Sequence, residues 1–259
     1  MACFGTYSYL PTMISIIICS ITAHKLALVT ANFKAVLGAA PYEIIDIHDA
    51  KSLSEGYNRG IARSRGDIVI FCHDDIEILT PAFYQLLCNH LETYDIVGCA
   101  GTDCLIESAW AAAGDPFTHG AVAYPAIDAW PCDRYNLLVW GGINVLEVPE
   151  IQALDGFLVR RVVLNRVKFD EVNFDGFHVY DTDFTFAAYL SGFRLAVCKD
   201  ILIAHQSGGN YNVKCHAYGA RLVEKYRDRL TPLARNKSQA GLARNLDRSK
   251  ILRLIKQAG

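Results

Sequence analysis

An almost wholly apolar, β-branched run, I-S-I-I-I-C-S-I at residues 14–21, is the pattern of a parallel strand covered on both faces. Helix-spaced apolar residues follow it directly: Leu26, Val29, Phe33, Val36 and Leu37, with Gly38 near the expected end. The pattern then repeats. Tyr42–His48 reads as a second strand, Ser54–Ser64 as a short helix stopped by Gly66, and Asp67–His73 as a third strand. Thr80-Pro81 reads as a helix start leading into Phe83, Leu86, Leu87 and Leu91, and Asp95–Ala100 as a fourth strand. Strands alternating with helices imply right-handed crossovers, hence an α/β fold with a doubly wound, mostly parallel sheet and helices on both faces.

The second half changes character. Residues 101–150 are rich in Gly, Ala, Pro and aromatics and predict an irregular, mixed-strand region with short strands at Tyr135–Trp140 and Ile143–Val148. Further strands are expected at Gly156–Arg161 and Arg194–Ala204, with a helix at Asp181–Ser191 between them. Residues 1–12 lack periodicity and read as a loose leader. From residue 219 to 259 the chain reads as a basic helical extension. Its last part, Ala234–Lys256, holds seven basic residues and one acid, Asp247. That segment suits either an anionic membrane surface, giving peripheral contact, or packing on the acidic body of its own or a second chain.

With 259 residues, 25 Lys and Arg, 27 Asp and Glu, and a net charge of −2, the chain is not expected to bind extended nucleic acid, which requires many phosphates to be neutralised. Its nine cysteines form no C-x-x-C pair, and the longest apolar run is too short to span a bilayer. The expected location is the cytoplasm.

Signatures for dinucleotides, P-loops, serine hydrolases and zincins are missing: there is no G-x-G-x-x-G, G-x-x-x-x-G-K-[ST], G-x-S-x-G or H-E-x-x-H. Instead, His73-Asp74-Asp75 follows the apolar strand I-V-I-F-C, at the carboxyl end where open α/β sheets bind ligands. Adjacent acids there suit Mg²⁺ or Mn²⁺ and, through it, substrate phosphates; a polar turn before a helix is the other reading. H-V-Y-D-T-D-F at residues 178–184 holds Asp181, beside Tyr180 and His178, at a helix start, where a cap is the alternative. His205 closes the last apolar strand before Ser207-Gly208-Gly209. Trp110, Trp130 and Trp140 read as packing groups rather than a stacking platform for a ligand.

Taken in order, the first strand, Y-E-I-I-D-I-H-D-A, Y-N-R-G-I-A, G-D-I-V-I-F-C-H-D-D, D-G-F-L-V-R-R, Y-D-T-D-F and a strand ending in His205 resemble the nucleotide-diphospho-sugar glycosyltransferases of the GT-A fold. The match is to the inverting family-2 group and, within it, to the subgroup named for a streptomycin-biosynthesis protein. The resemblance implies a GT-A-like domain over 13–218, with a nucleotide-binding half at 13–100 and an acceptor and catalytic half at 101–218. It implies a metal-dependent enzyme that moves a sugar from a nucleoside-diphosphate donor to the hydroxyl of a glycan, lipid-linked or small-molecule acceptor, with Mn²⁺ or Mg²⁺ as cofactor.

By the same resemblance, Ser20, Ile21, Asp46 and Asp49 border the nucleotide, and Asn58 and Gly60 support its pocket. His73-Asp74-Asp75 stands for the family's D-x-D motif: Asp75 is a metal ligand, Asp74 a metal or ribose ligand, and His73 replaces the motif's first Asp. Asp155 and Gly156 line the sugar and acceptor side, Asp181 is the catalytic base, and His205 completes the metal site. A sugar nucleotidyltransferase would carry a glycine-rich, basic loop after the first strand, where this chain has C-S-I-T-A-H-K. A noncatalytic sugar-nucleotide-binding module is the remaining alternative, through His73 in place of Asp and Tyr180 in place of Glu.

Overall fold

The computed structural model describes residues 12–207 and 213–256; most of the expected leader lies outside them. The chain opens with β1 (Ile14–Cys19), α1 (Ala23–Leu37), β2 (Tyr42–Ile47), α2 (Leu53–Arg63), β3 (Ile68–Cys72), a short β4 (Ile76–Ile78), α3 (Phe83–Thr93) and β5 (Ile96–Thr102). It continues with β6 (Thr118–Pro125), β7 (Arg134–Trp140), β8 (Glu147–Val148), β9 (Ala153–Arg160), α4 (Arg161–Leu164) and α5 (Tyr180–Leu190). It closes with β10 (Leu195–Cys198), β11 (Ile203–His205), α6 (Val213–Lys225), β12 (Gly241–Asp247) and α7 (Arg248–Lys256).

The main path of the sheet runs β12-β7-β6-β5-β9-β3-β1-β2. β1 pairs in parallel with β2 and β3, as an alternating β-α pattern requires. β5 does not pair with β3. The later strand β9 slots between them, antiparallel to both, with Ile70 opposite Leu158 and Gly98 opposite Phe157. β5 therefore keeps the direction of β3, and one reversed strand separates them. Gly98 permits this approach, because a Cβ there would sit 2.7 Å from the Gly156 carbonyl oxygen.

Helices cover both faces of the sheet. On one, α1 and α3 bring Val29, Phe33, Phe83 and Leu87 onto Ile14, Ile16 and Ile70. On the other, α2 and α5 bring Tyr57, Ile61 and Phe184 onto Ile17, Val69 and Phe71. Gly60 lets α2 lie directly on β1, since a Cβ there would meet Ile17 Cγ2 at 2.2 Å.

Three expectations are revised. Thr80 does not cap α3: its hydroxyl donates to the Asp200 carbonyl and accepts from the Leu202 amide, tying α3's entry to the β10–β11 turn. The apolar run 194–204 is two strands, β10 beside β5 and β11 between β4 and β6, broken at Lys199–Leu202. The 219–259 stretch, expected to be helical, contains β12, paired antiparallel with β7, and its final helix α7 buries Ile251 and Ile255 against Tyr135 and Leu137. Ile251 and Ile255 of the basic segment are thus packed on the chain's own sheet, while Leu242 and Leu254 stay exposed. Among the described residues, no helix is long and apolar enough to cross a bilayer.

Candidate active site

The site lies at the carboxyl ends of β3 and β11, where the apolar strands give way to polar side chains. Pairing of β4 with β11 sets His205 opposite Ile76, so the residue just after His73-Asp74-Asp75 is fixed beside the strand-end histidine. One carboxylate oxygen of Asp75 lies 3.2 Å from His205 Nε2, and His73 Nδ1 lies 3.4 Å from the same nitrogen. Potential ligand atoms of His73, Asp75 and His205 all fall within 4.8 Å of one another. Two imidazoles and a hard carboxylate form a donor set that fits a first-row divalent ion such as Mn²⁺.

The electrostatics of Asp75 and His73 match that use, whereas at His205 the lowering by burial is outweighed by Asp75, which raises the pKa. Asp75 is only 7% exposed, and burial alone would favour its neutral form. Hydrogen bonds from His205 and Ser207 outweigh burial and hold its carboxyl well below the usual carboxylate range. Burial and the neighbouring His205 keep the His73 imidazole below its ordinary pKa, hence neutral and able to act as a ligand. Tyr180 supplies the orientation: its hydroxyl lies 2.7 Å from His73 Nε2, which leaves Nδ1 facing Asp75 and His205. A histidine held through its far nitrogen in this way is the usual support of a metal ligand.

Near the trio lies a pair of carboxylates. Asp181, in the first turn of α5, lies against Asp155 of β9, and burial together with that second carboxylate pushes its pKa well above the ordinary value. Thr185 makes the pairing: its hydroxyl donates to the Asp181 carbonyl and accepts from the Leu154 amide, joining α5 to β9 beside both acids. The entry to α5 is strained, because Val179 has φ +69°, a left-handed conformation unusual for a β-branched residue. Gly156, beside Asp155, has φ +70°. His73, Asp155, Gly156, Tyr180 and His205 line a cavity of about 120 Å³ whose other walls include Cys99 and Val122.

Other residues singled out in the sequence lie around this centre without joining the trio. Asp74 turns away, its carboxylate accepting a 2.6 Å hydrogen bond from Ser20. Ile21 protrudes, 89% exposed. Asp46 pairs with His48, whose other ring nitrogen meets the Ser20 carbonyl, and Asp49 pairs with Arg59. Asn58 is engaged through both ends of its amide with the Phe169 backbone. Sequence reasoning treated Tyr180 only as a substitution for Glu and so missed its contact with His73. It also read Trp110 and Trp140 as core, whereas they form a half-buried edge-to-face pair, with Trp110 Nε1 donating to Asp155.

Asp183 lies about 200° around α5 from Asp181. It is 1% exposed and bonded to Lys225 at 2.7 Å and to the Tyr226 hydroxyl at 2.8 Å, so it fastens α6 onto α5. Asp183→Asn should cost about 2 kcal/mol of stability by weakening these charged hydrogen bonds. In thermal melts followed by circular dichroism, the midpoint should fall by about 4–8 °C. An unchanged midpoint would show that the network does not hold α6.

The amino-acid pattern of residues 16–226 matches the model of the "Glycosyltransferase like family". The chain belongs to that family. Among solved structures, this member of the family is similar to the mannosyltransferase PcManGT from Pyrobaculum calidifontis, in complex with GDP-Man and Mn²⁺. Identity is 13% and the TM-score 0.48, over 85% of this chain and 64% of that one. It is similar also to S. aureus TarS 1–349 in complex with UDP, with 10% identity and a TM-score of 0.47 over 83% of this chain and 72% of that one. No curated protein sequence matches it.

Proposed function

We propose that the protein is an inverting, metal-dependent glycosyltransferase that moves a sugar from a nucleoside-diphosphate donor to an acceptor hydroxyl. The convergence of His73, Asp75 and His205 on one point, beside a cavity that Asp155, the neighbour of Asp181, also lines, supports this reading most directly. Family membership supports the transfer of a glycosyl group, and the donor set favours Mn²⁺ over the all-oxygen preference of Mg²⁺. The finer placement, in the subgroup named for a streptomycin-biosynthesis protein, belongs to the same proposal.

In this reading His73, Asp75 and His205 hold the cation, and Tyr180 holds His73 in register. A divalent ion bound there neutralises charge on the departing diphosphate. Ser20 after β1, locked to Asp74 after β3, and Asp46 and Asp49 at the end of β2 form the border of the nucleotide side. Burial and the adjacent Asp155 carboxylate raise the Asp181 pKa, which makes its ionised carboxylate a stronger base. That oxygen is placed to take a proton from the acceptor hydroxyl. Attack from the face opposite the diphosphate then inverts the anomeric centre in one displacement.

The test is a thermal-shift panel of nucleoside diphosphates and nucleotide sugars, with Mn²⁺, with Mg²⁺ and with a chelator. A ligand at one hundred times its dissociation constant adds about 2.7 kcal/mol, and for a chain of this size that raises the midpoint by roughly 5–10 °C. Stabilisation by a nucleotide sugar with Mn²⁺ is expected. A flat response across the panel would overturn the donor assignment.

A further inference from the structure

The three tryptophans have different surroundings. Trp130 packs on the cluster of Tyr135, Leu137 and Ile251. Trp110 and Trp140 are half-buried and meet each other edge to face, with ring centroids 5.3 Å apart at 81°. An edge-to-face pair leaves aromatic surface free to receive a third group. Their position adds to this. Trp110 Nε1 donates a 3.1 Å hydrogen bond to Asp155 Oδ2, and Asp155 is the carboxylate in contact with Asp181. One hydrogen bond therefore links the indole pair to the acid pair. Trp140 ends β7, and Trp110 stands in the turn of helix at 110–113 packed over β5, β6 and β9, so both rings are mounted on the sheet itself.

Rigid indole faces beside a carboxylate suit one class of ligand. The apolar C–H face of a pyranose ring packs on an aromatic plane while its hydroxyls reach charged acceptors at the rim. We propose that Trp110 and Trp140 form an acceptor subsite for a carbohydrate, stacking on its pyranose ring and presenting one of its hydroxyls to Asp155 and Asp181. This rests on the transfer reading above and narrows the acceptor to a sugar.

The experiment uses the full chain with Mn²⁺ and UDP or GDP present, and titrates simple glycosides as probes: methyl glucoside, methyl mannoside, N-acetylglucosamine and their disaccharides. Saturation-transfer NMR and tryptophan fluorescence follow binding at millimolar concentration. At least one glycoside should bind. Trp110→Ala and Trp140→Ala should weaken it by about tenfold or more, as removal of a central aromatic anchor does. Trp140→Phe should restore part of the affinity, and Trp130→Phe should leave it intact. Thermal melts confirm that each variant is folded, and nucleoside-diphosphate affinity is recorded on the same samples. Loss of glycoside binding with intact diphosphate binding supports the subsite. If no glycoside binds the folded wild type, if binding survives both alanine variants, or if a non-ring polyol binds equally well, the subsite is overturned. Absence of diphosphate binding would refute the donor reading instead, and the glycoside titration would still decide the subsite.

Discussion

Replacing Asp181 by Asn should lower kcat by about 10²–10⁴-fold while leaving nucleotide-sugar affinity nearly unchanged. The reasoning is that a base acts only while the acceptor hydroxyl loses its proton, so the donor complex forms normally without it. Asp155→Asn should behave differently. It removes the charge that helps raise the Asp181 pKa, so Asp181 would ionise more easily and the acid limb of the kcat profile should move to lower pH. Steady-state kinetics across a pH series, with the donor found in the thermal-shift panel, measures both effects. Full activity of Asp181→Asn would remove the base assignment, whereas donor binding without any turnover in the wild type would make a noncatalytic sugar-nucleotide-binding module the better account. An acid limb that does not move in Asp155→Asn would show that Asp155 does not raise the Asp181 pKa.

The second large effect concerns the cation. Asp75 and His205 lie 130 positions apart in sequence and 3.2 Å apart in space, with His73 beside them. Asp75→Ala should weaken Mn²⁺ binding by more than about 100-fold, whereas Tyr180→Phe, which removes the support of His73 and a hydrogen bond with Tyr57, should weaken it by about tenfold. Electron paramagnetic resonance of free Mn²⁺ reads both directly. Because Asp75 is buried, Asp75→Asn provides an isosteric variant in which the fold is retained and the charge is lost. Equal Mn²⁺ affinity in wild type and Asp75→Asn would place the cation elsewhere.

What could be read from the sequence, and what could not, follows from where each signal lies. β1 and β3 are legible because I-S-I-I-I-C and I-V-I-F-C are continuous β-branched runs, and the second ends abruptly in acids, which marks a ligand-facing strand end. β6, T-H-G-A-V-A-Y-P, is not legible, since its small residues, Gly and Pro carry little strand preference and its pairing with β5 and β7 decides the conformation. β12, G-L-A-R-N-L-D, reads as helix, yet the free edge of β7 draws it into the sheet. The break between β10 and β11 is hidden because Lys199, a residue normally at the surface, is fully buried, with its ammonium donating to the Gly141 and Gly142 carbonyls. In the site, Asp75, Asp181 and His205 stood out as ionisable residues at strand and helix ends, and Asp155 was named through the family resemblance alone. Tyr180 did not, because its contact is with a histidine 107 positions away. The Trp110–Asp155 bond escaped for the same reason: it joins segments 45 residues apart.

The central claim is that a cation held by His73, Asp75 and His205 receives the diphosphate of the donor. Calorimetric titration of UDP and GDP into the wild-type protein, with Mn²⁺ and again with a chelator, tests it most directly. The account predicts one site per chain for at least one of the two nucleotides with Mn²⁺, and at least about tenfold weaker binding when the metal is withdrawn. Equal affinity with and without the metal would contradict it.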